Sequence, residues 1–297
     1  MTAGRPARLS IGVVSAGRVG AVVGASWAAA GHRVVATSGV SRASVKRAAA
    51  LLPDVPLRPP DEVVSGVDLA LLAVPDDVLP GLVRGLAAAG TFRPGQIVVH
   101  TSGAHGVSVL APAAEHGVLP LALHPVMTFT GRTEDVARLA ACSVGVTATA
   151  GDEAAWSVGE ALVVEMGAEP VRVPEQVRPL YHTALAHGAN HLVTLVRDCV
   201  DTLERAGVTP AERLVAPLLS AALDNALRHG DRALTGPVAR GDVGTVRTHL
   251  RELDAADPDL AEAYRVLASR TAHRAVDAGL LSDHAAHDVL EILQEKP

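Results

Sequence analysis

The chain has 297 residues, of which 48% are hydrophobic and 20% are charged, a balance typical of a soluble globular protein with two domains. The formal net charge of −6 and the aromatic content of 2% argue against nucleic-acid binding. Phosphates need a basic surface, and bases need aromatic side chains on which to stack. We expect a cytoplasmic protein, because Cys142 and Cys199 form no spacing motif and no stretch resembles a membrane span.

The first 173 residues alternate short apolar strands with helical patterns. Strands are predicted at 9–14, 33–37, 69–74, 96–100, 118–124, 143–147 and 169–173, and helices at 18–30, 42–51, 77–89, 107–116 and 152–166. This alternation is typical of an α/β fold. It predicts a Rossmann domain with a doubly wound, mostly parallel sheet and right-handed crossovers.

After Pro174 the pattern is purely helical. Helices are predicted at 179–206, 210–228, 243–255, 258–278 and 283–294, where Gly and Pro residues separate the helical patterns. We therefore predict a Rossmann domain in residues 1–173 and an all-helical domain in residues 174–297.

The first strand leads into the segment Ser15-Ala16-Gly17-Arg18-Val19-Gly20, which opens the first helix. The segment matches the G-x-G-x-x-G motif of dinucleotide-binding domains, except that Ser15 replaces the first glycine. In that motif, backbone N–H groups at the helix N-terminus hold the pyrophosphate. A serine can still form the tight turn, and its hydroxyl can contact a phosphate. The alternative interpretation is a purely structural turn between strand and helix.

The end of the second strand favours NADP over NAD. Domains that bind NAD place an Asp or Glu about 20 residues after the first glycine, where it bonds the ribose 2′-hydroxyl. Residues 36–42 contain no acid but include Ser38 and Arg42. A hydroxyl and a guanidinium suit a 2′-phosphate. Alternatively, Arg42 is simply a solvated residue in the first turn of its helix.

Three further strands end in residues that we expect at the same cleft, because ligands of open α/β sheets bind beyond the carboxyl ends of the strands. Val74 and Pro75 are expected to pack against the cofactor, and Thr101 is expected beside it. Ser102 can bond a substrate oxygen, although an ordinary helix N-cap is an equally good interpretation. His124 follows the next strand and completes the predicted pocket.

The first helix of the second domain carries several polar residues. Thr183, His187, Asn190 and Thr194 share one stripe at about 100° per residue, and His182 lies about 80° from Asn190. A polar stripe on an otherwise apolar helix faces water, a partner or a cleft. His187 and His191 have the i, i+4 spacing of metal ligands, but no third ligand accompanies them at a telling spacing.

These features together resemble one bacterial family. The segment Ser15–Gly20, His100-Thr101-Ser102-Gly103, His124-Pro125, Tyr181-His182 … Asn190 and the loop Thr235–Asp242 resemble Rossmann-like proteins with a C-terminal helical domain of unknown function, regarded as NADP-dependent oxidoreductases. More distantly, the layout is similar to ketopantoate reductases, β-hydroxyacid dehydrogenases and pyrroline-carboxylate reductases. The resemblance implies a C-terminal domain of the phosphogluconate-dehydrogenase type and a homodimer formed through it.

One departure concerns the chemistry. In hydroxyacid dehydrogenases and ketopantoate reductases, the first long helix of the second domain carries a lysine and an asparagine. Here Asn190 stands at a plausible position, but the helix carries no lysine. Either a histidine replaces the lysine as proton donor, or the chemistry differs.

The leading hypothesis is an NADP-dependent oxidoreductase that acts on a carbonyl or imine of a small acidic metabolite. His182 would be the general acid/base, because an imidazole with a pKa near 6.5 suits proton transfer at neutral pH. Asn190 would orient the substrate oxygen. The alternatives are an NADP(H)-binding sensor or regulatory protein without turnover, and a metal-dependent enzyme that uses His187 and His191.

Overall fold

The computed structural model describes residues 8–295, and its N-terminal part is built on a seven-stranded sheet. The strands are β1 (Ser10–Val14), β2 (Arg33–Thr37), β3 (Leu69–Leu72), β4 (Ile97–His100), β5 (Leu119–Pro125), β6 (Ser143–Thr147) and β7 (Glu169–Arg172). Their order is β2-β1-β3-β4-β5-β6-β7. Every pair is parallel except β5 and β6, so the doubly wound, mostly parallel Rossmann sheet is confirmed.

Seven helices accompany the sheet within the described residues: α1 (Arg18–Ala29), α2 (Arg42–Leu51), α3 (Pro60–Val64), α4 (Leu79–Ala88), α5 (Ala111–Ala114), α6 (Glu134–Leu139) and α7 (Glu153–Glu165). The helix predicted at 107–116 is a 3₁₀ turn followed by the short α5. The sequence analysis missed α3 and α6, because one or two turns contain too few residues to establish a helical period.

The sheet is buried on both faces, which explains the continuous apolar runs of β1 and β3. On one face, Trp27 of α1 is completely buried, and its indole N–H donates to the Leu162 carbonyl oxygen of α7 over 2.9 Å. On the other face, α3 crosses β1 so closely that a Cβ on Gly12 would overlap the Val63 carbonyl oxygen. A glycine is therefore required in the middle of β1.

The remaining helices are α8 (Arg178–Arg205), α9 (Ala211–His229), α10 (Pro237–Arg240), α11 (Val243–Ala256), α12 (Pro258–Asp277) and α13 (Asp283–Gln294). The chain divides into two compact units, Met1–Gly188 and Ala189–Pro297, and the division falls inside α8. The sequence prediction instead puts the boundary at residue 173, where the last strand ends.

The second unit has a core of small and branched side chains. Val246 of α11, Ala272 and Ala275 of α12 and Val289 of α13 are completely buried there. Small alanine side chains allow these helices to approach one another closely. Among the described residues, no helix combines the length and the hydropathy needed to cross a membrane.

Candidate functional site

The glycine-rich loop lies at the point where the sheet changes direction. From β1 the chain passes through α1 to β2 on one side, while β3 lies on the other side of β1. Ser15 adopts a left-handed conformation with φ of 75°, which explains why a glycine usually stands there. Its N–H donates to Ser38 Oγ over 2.8 Å, and the Ala16 N–H donates to the Ser38 carbonyl oxygen over 2.6 Å. The end of β2 therefore holds this turn in place.

The last glycine of the motif is also required by packing. A Cβ on Gly20 would overlap the Ser15 carbonyl oxygen and lie 2.8 Å from the Ala73 side chain. This is the role of the third glycine in dinucleotide-binding loops, where it permits close packing of helix and strand.

The N-terminus of α1 fits a pyrophosphate. Gly17 is its N-cap residue, no side chain accepts a hydrogen bond from the first turn, and that turn contains no acidic residue. Unsatisfied N–H groups at a helix N-terminus are an anion site. Arg18 is exposed at the first position of the helix, and Val19 is half-buried beside it.

Ser38 and Arg42 both stand at the end of β2. The Ser38 side chain is buried, and its oxygen accepts the Ser15 N–H, so only its hydroxyl proton is left for a ligand. Arg42 is exposed at the start of α2, where Ser41 caps the helix by accepting the Ser44 N–H over 3.0 Å. The predicted contact of these side chains with a 2′-phosphate stays a prediction.

Sequence reasoning missed Arg47, which also reaches the glycine-rich loop. Its Nη1 donates to the Ala16 carbonyl oxygen over 3.1 Å. A Cβ on Gly131 would overlap Arg47 Nε and lie 3.2 Å from Arg18 Cγ, so both arginines lie against that glycine. Within residues 8–295, neither Arg18, Arg42 nor Arg47 forms an ion pair with a carboxylate. Their positive charges are therefore not neutralised by carboxylates.

Val74, Pro75 and Thr101 begin the loops that follow β3 and β4. The Ala73 carbonyl oxygen faces Gly17, so Val74 and Pro75 leave the sheet beside the glycine-rich loop. Thr101 is half-buried directly after β4. The predicted contacts of these residues with a cofactor stay predictions.

A cluster of three rings lies at the end of β5. His124 Nδ1 is 2.8 Å from the Tyr181 hydroxyl oxygen, and the ring planes meet at 84° with centroids 5.6 Å apart. The His182 ring lies 6.1 Å from the His124 ring. The loop after β4 packs directly on both imidazoles, since a Cβ on Gly103 would lie 2.6 Å from His182 Cδ2 and 2.8 Å from His124 Nε2. The structure thus brings His124 and His182 together and adds Tyr181.

The ionisation of this cluster follows from its burial. Burial lowers the pKa of His124 to about 4, and the charges of Arg178 and His182 reinforce that shift, while Asp76 opposes it. His124 is therefore neutral at neutral pH. Burial raises the pKa of Tyr181, and Arg178 counteracts part of this effect. The cluster contains a neutral imidazole hydrogen-bonded to a protonated phenol.

His100 and Ser102 stabilise the turn after β4. His100 Nδ1 accepts the Ser102 N–H over 3.2 Å, so Nε2 carries the proton that binds the Gly106 carbonyl oxygen over 2.9 Å. Burial lowers the pKa of His100 to about 3. Ser102 Oγ accepts the His105 N–H over 3.0 Å, which is the capping role that the sequence left open. Its hydroxyl proton remains available as a donor.

Arg178 is a second residue that sequence reasoning missed. It is the first residue of α8, its side chain is completely buried, and its guanidinium donates to oxygens of β5, β6 and the turn after β4. These oxygens lie 31 to 76 residues earlier in the chain. No local pattern could have revealed this contact.

The predicted polar stripe of α8 lies in an exposed stretch. Asn190 follows His182 by eight residues, which is about 12 Å of helix rise, and its side chain is exposed. His187 and His191 are exposed too. Across residues 8–295, no group of three His, Cys, Asp or Glu side chains could hold a metal ion. In the loop Thr235–Asp242, Arg240 forms a 2.6 Å ion pair with Asp242.

The sequence matches two family models. A Rossmann-like domain covers residues 2–125, and a domain of unknown function (DUF2520) covers residues 142–271. Among curated proteins, none matches this sequence.

Solved structures resemble the chain over most of its length. A candidate NADP oxidoreductase from Bacteroides fragilis superposes with a TM-score of 0.71 at 18% identity, covering 89% of this chain and 98% of its own. An imine reductase from Streptomyces aurantiacus gives 0.62 at 18% identity, with 96% and 100% covered. A pyrroline-5-carboxylate reductase from Coxiella burnetii gives 0.57 at 13% identity, with 96% and 99% covered. At these identities the similarity shows the fold. In sequence order, the chain is thus similar to a Rossmann-like domain followed by a DUF2520 domain.

Proposed function

We propose that the chain is an NADP-dependent oxidoreductase that transfers a hydride between NADP(H) and a carbonyl or imine carbon of a small acidic metabolite. One observation carries this proposal. A glycine-rich loop of the dinucleotide-binding type follows β1. At the end of β5, in the same sheet, His124 forms a cluster with Tyr181 and His182 of α8. A hydride-transfer site needs both a cofactor cradle and a group that exchanges a proton.

The residues of the cradle fit the pyridine dinucleotide. The backbone of the segment Ser15–Gly20 and the uncapped N-terminus of α1 would hold the pyrophosphate. Ser38 and Arg42 would hold the 2′-phosphate. The charges of Arg18 and Arg47, which form no ion pair with a carboxylate among residues 8–295, favour a polyanion at this end of the sheet. Val74, Pro75 and Thr101 would line the cofactor side of the cleft. When bound, the cofactor supplies or accepts the hydride at the nicotinamide C4.

A side chain of the protein would donate or accept the proton that accompanies hydride transfer. We assign His182 as the general acid/base, because its ring lies beside the neutral His124 and against Gly103 of the loop after β4. His124 and Tyr181 complete the polar wall of the pocket. The Ser102 hydroxyl proton would bond the substrate oxygen or nitrogen, and Asn190 is assigned the role of orienting it. The names of the similar imine and pyrroline-carboxylate reductases support an imine as one candidate acceptor.

A panel of 2-keto acids and cyclic and acyclic imino acids tests this proposal directly. With NADPH, oxidation of the cofactor that depends on one class of substrate is expected, followed at 340 nm. The His182→Ala variant serves as the control that separates catalysis by this site from a contaminating activity.

A second candidate is an NADP(H)-binding sensor or regulatory protein without turnover. It is favoured by the absence of a lysine from α8 and by the serine at position 15. Tight NADPH binding combined with no turnover across the panel would select this candidate instead.

We also propose that the chain forms a homodimer through its helical region. In the second unit, α9 carries two exposed leucines one turn apart on one face, with Leu214 57% and Leu218 66% exposed. Both side chains line an open, largely apolar groove of about 920 Å³ that is enclosed by α8, α9, α11 and α12. An apolar helix face next to an apolar groove suits burial against a second copy. Light scattering should give the mass of a dimer, and the Leu214→Asp, Leu218→Asp double variant should give a monomer.

A further inference from the structure

The Arg178 side chain uses every one of its donors within the protein. Nε donates to Thr147 Oγ1 at 2.7 Å, Nη1 to the carbonyl oxygens of Ser102 at 2.7 Å and Gly103 at 3.4 Å, and Nη2 to those of Ala122 at 3.3 Å and Gly145 at 3.1 Å. A guanidinium has five N–H groups. No donor therefore remains to bind a substrate carboxylate.

None of these five acceptors is a carboxylate, and the Glu175 carboxylate acts on the guanidinium only through space. Burial lowers the pKa of Arg178 to about 10, which still leaves the group protonated at neutral pH. Burying a charge is costly, and well-packed apolar residues often replace buried charges without loss of stability. The need to hold β5, β6 and the turn after β4 together does not by itself explain a cation here.

The charge lies against the proposed site. The guanidinium carbon of Arg178 is 5.9 Å from the centre of the Tyr181 ring. Through the Ser102 and Gly103 carbonyl oxygens, it also fixes the turn that packs on His124 and His182. A fixed cation at this position disfavours a second positive charge on His124.

We propose that Arg178 is a positioning residue that separates the roles of the two histidines. It holds the Ser102–Gly103 turn over both imidazoles, and its charge adds to the burial that keeps His124 unprotonated. His124 Nδ1 then accepts the hydrogen bond of the Tyr181 hydroxyl, and His182 is left as the imidazole that exchanges the proton. Only this last, catalytic consequence rests on the proposed function.

The groups that face His124 come from two elements and a loop. Arg178, Tyr181 and His182 belong to α8, His100 belongs to β4, and Asp76 belongs to the loop after β3. Of these, only Asp76 favours protonation of His124. Removal of the Arg178 charge would leave Asp76 opposed chiefly by burial and by His182.

Nitrogen-15 NMR of the histidine side chains tests the inference without a substrate. The His124 signals are identified by their loss in a His124→Gln variant. In the unmodified protein we expect the Nε2–H tautomer of His124, unprotonated down to about pH 5. Titration of His124 near pH 6.5, or an Nδ1–H tautomer, would overturn the proposal even if no variant of Arg178 folds.

Substitution of Arg178 provides a second test of the inference. In Arg178→Met the pKa of His124 should rise from about 4, because the lowering effect of the Arg178 charge is removed while that of burial stays. The matched control is Arg172→Met, which removes an exposed arginine paired with Glu153 and Glu160 and should leave His124 unchanged. A folded Arg178→Met protein with an unshifted His124 would contradict the inference.

The catalytic consequence has its own measurement. Arg178→Met should lower kcat and change its pH profile, while the Kd for NADPH stays within a factor of two of the control. If the unmodified protein turns over no substrate, the proposed function fails, but the two NMR results still decide the role of Arg178. An unchanged kcat and pH profile in Arg178→Met would overturn the catalytic consequence.

Discussion

The Nδ1 atom of His124 lies 2.8 Å from the hydroxyl oxygen of Tyr181, which is one of only two tyrosines in the chain. The two residues are 57 positions apart, one at the end of β5 and the other in the first turn of α8. Their contact joins the sheet to the helix that carries His182. A site for proton exchange is thereby built from elements that no local sequence pattern connects.

Replacement of His182 by alanine is expected to lower turnover by about 10²–10⁴-fold, the usual contribution of a general acid or base. The Kd for NADPH should not change, because the phosphate-binding loop lies at the end of β1. The matched control is His284→Ala, since the His284 side chain is 90% exposed. Steady-state kinetics beside a fluorescence titration separate the two effects. Unchanged turnover would remove His182 from the mechanism.

Substitution of Ser15 by glycine should stabilise the fold. A non-glycine residue in the left-handed region costs about 1 kcal/mol, and glycine removes that strain. We therefore expect the free energy of unfolding in urea to rise by up to about 1 kcal/mol. Asp54, with φ of 64°, supplies the matched control at a position outside the loop. If Asp54→Gly stabilises the protein and Ser15→Gly destabilises it, the serine hydroxyl has a structural role that the geometry does not reveal.

Arg42→Ala should weaken NADPH binding by about 10-fold or more and leave NADH binding unchanged, because a charged hydrogen bond to a phosphate contributes roughly 1.5–3 kcal/mol. The exposed neighbour Lys46 provides the control variant, Lys46→Ala. Arg47→Ala is expected to weaken binding of both cofactors, since Arg47 contacts the Ala16 carbonyl oxygen rather than the end of β2. An equal loss for NADPH and NADH in Arg42→Ala would contradict a 2′-phosphate contact.

Acid should destabilise the protein before its carboxylates titrate. The pKa of His124 is lowered to about 4 and that of His100 to about 3, whereas an unfolded histidine titrates near 6.5. Below pH 6.5 the unfolded chain therefore binds protons that the folded chain does not. The resulting stability is complete above pH 6.5 and is lost as the pH falls through 4.

For His124 alone, the loss between pH 6.5 and 5 amounts to about 2 kcal/mol. Urea unfolding at several pH values should show this slope, and it should be smaller in His124→Gln. The same slope in both proteins would mean that His124 is not kept neutral by the fold.

The architecture could be predicted from the sequence because each strand and helix depends mainly on the pattern of its own residues. All seven strands begin and end within two residues of their predicted limits, and Arg18 begins α1 as expected. The strong apolar runs of β1 and β3 fixed these elements. The one-turn helix α10 was missed, as were α3 and α6, because such short elements carry no period.

The candidate functional site could be predicted from the sequence only in part. His124 and His182 were expected in one pocket and lie together, since each stands at the end of a recognisable element. Arg178, Arg47 and Tyr181 were not assigned roles, because their partners are 31 or more residues distant. Such contacts depend on how the elements pack, which composition and spacing do not specify.

Titration of the purified protein with NADPH and with NADH tests the central claim most directly, with cofactor fluorescence as the signal. We expect micromolar binding of NADPH and at least about 10-fold weaker binding of NADH, because an arginine contact to the 2′-phosphate is lost with NADH. Binding of neither cofactor would contradict the account. In that case the loop Ser15–Gly20 is only a structural turn, and the proposal that the chain is an oxidoreductase is wrong.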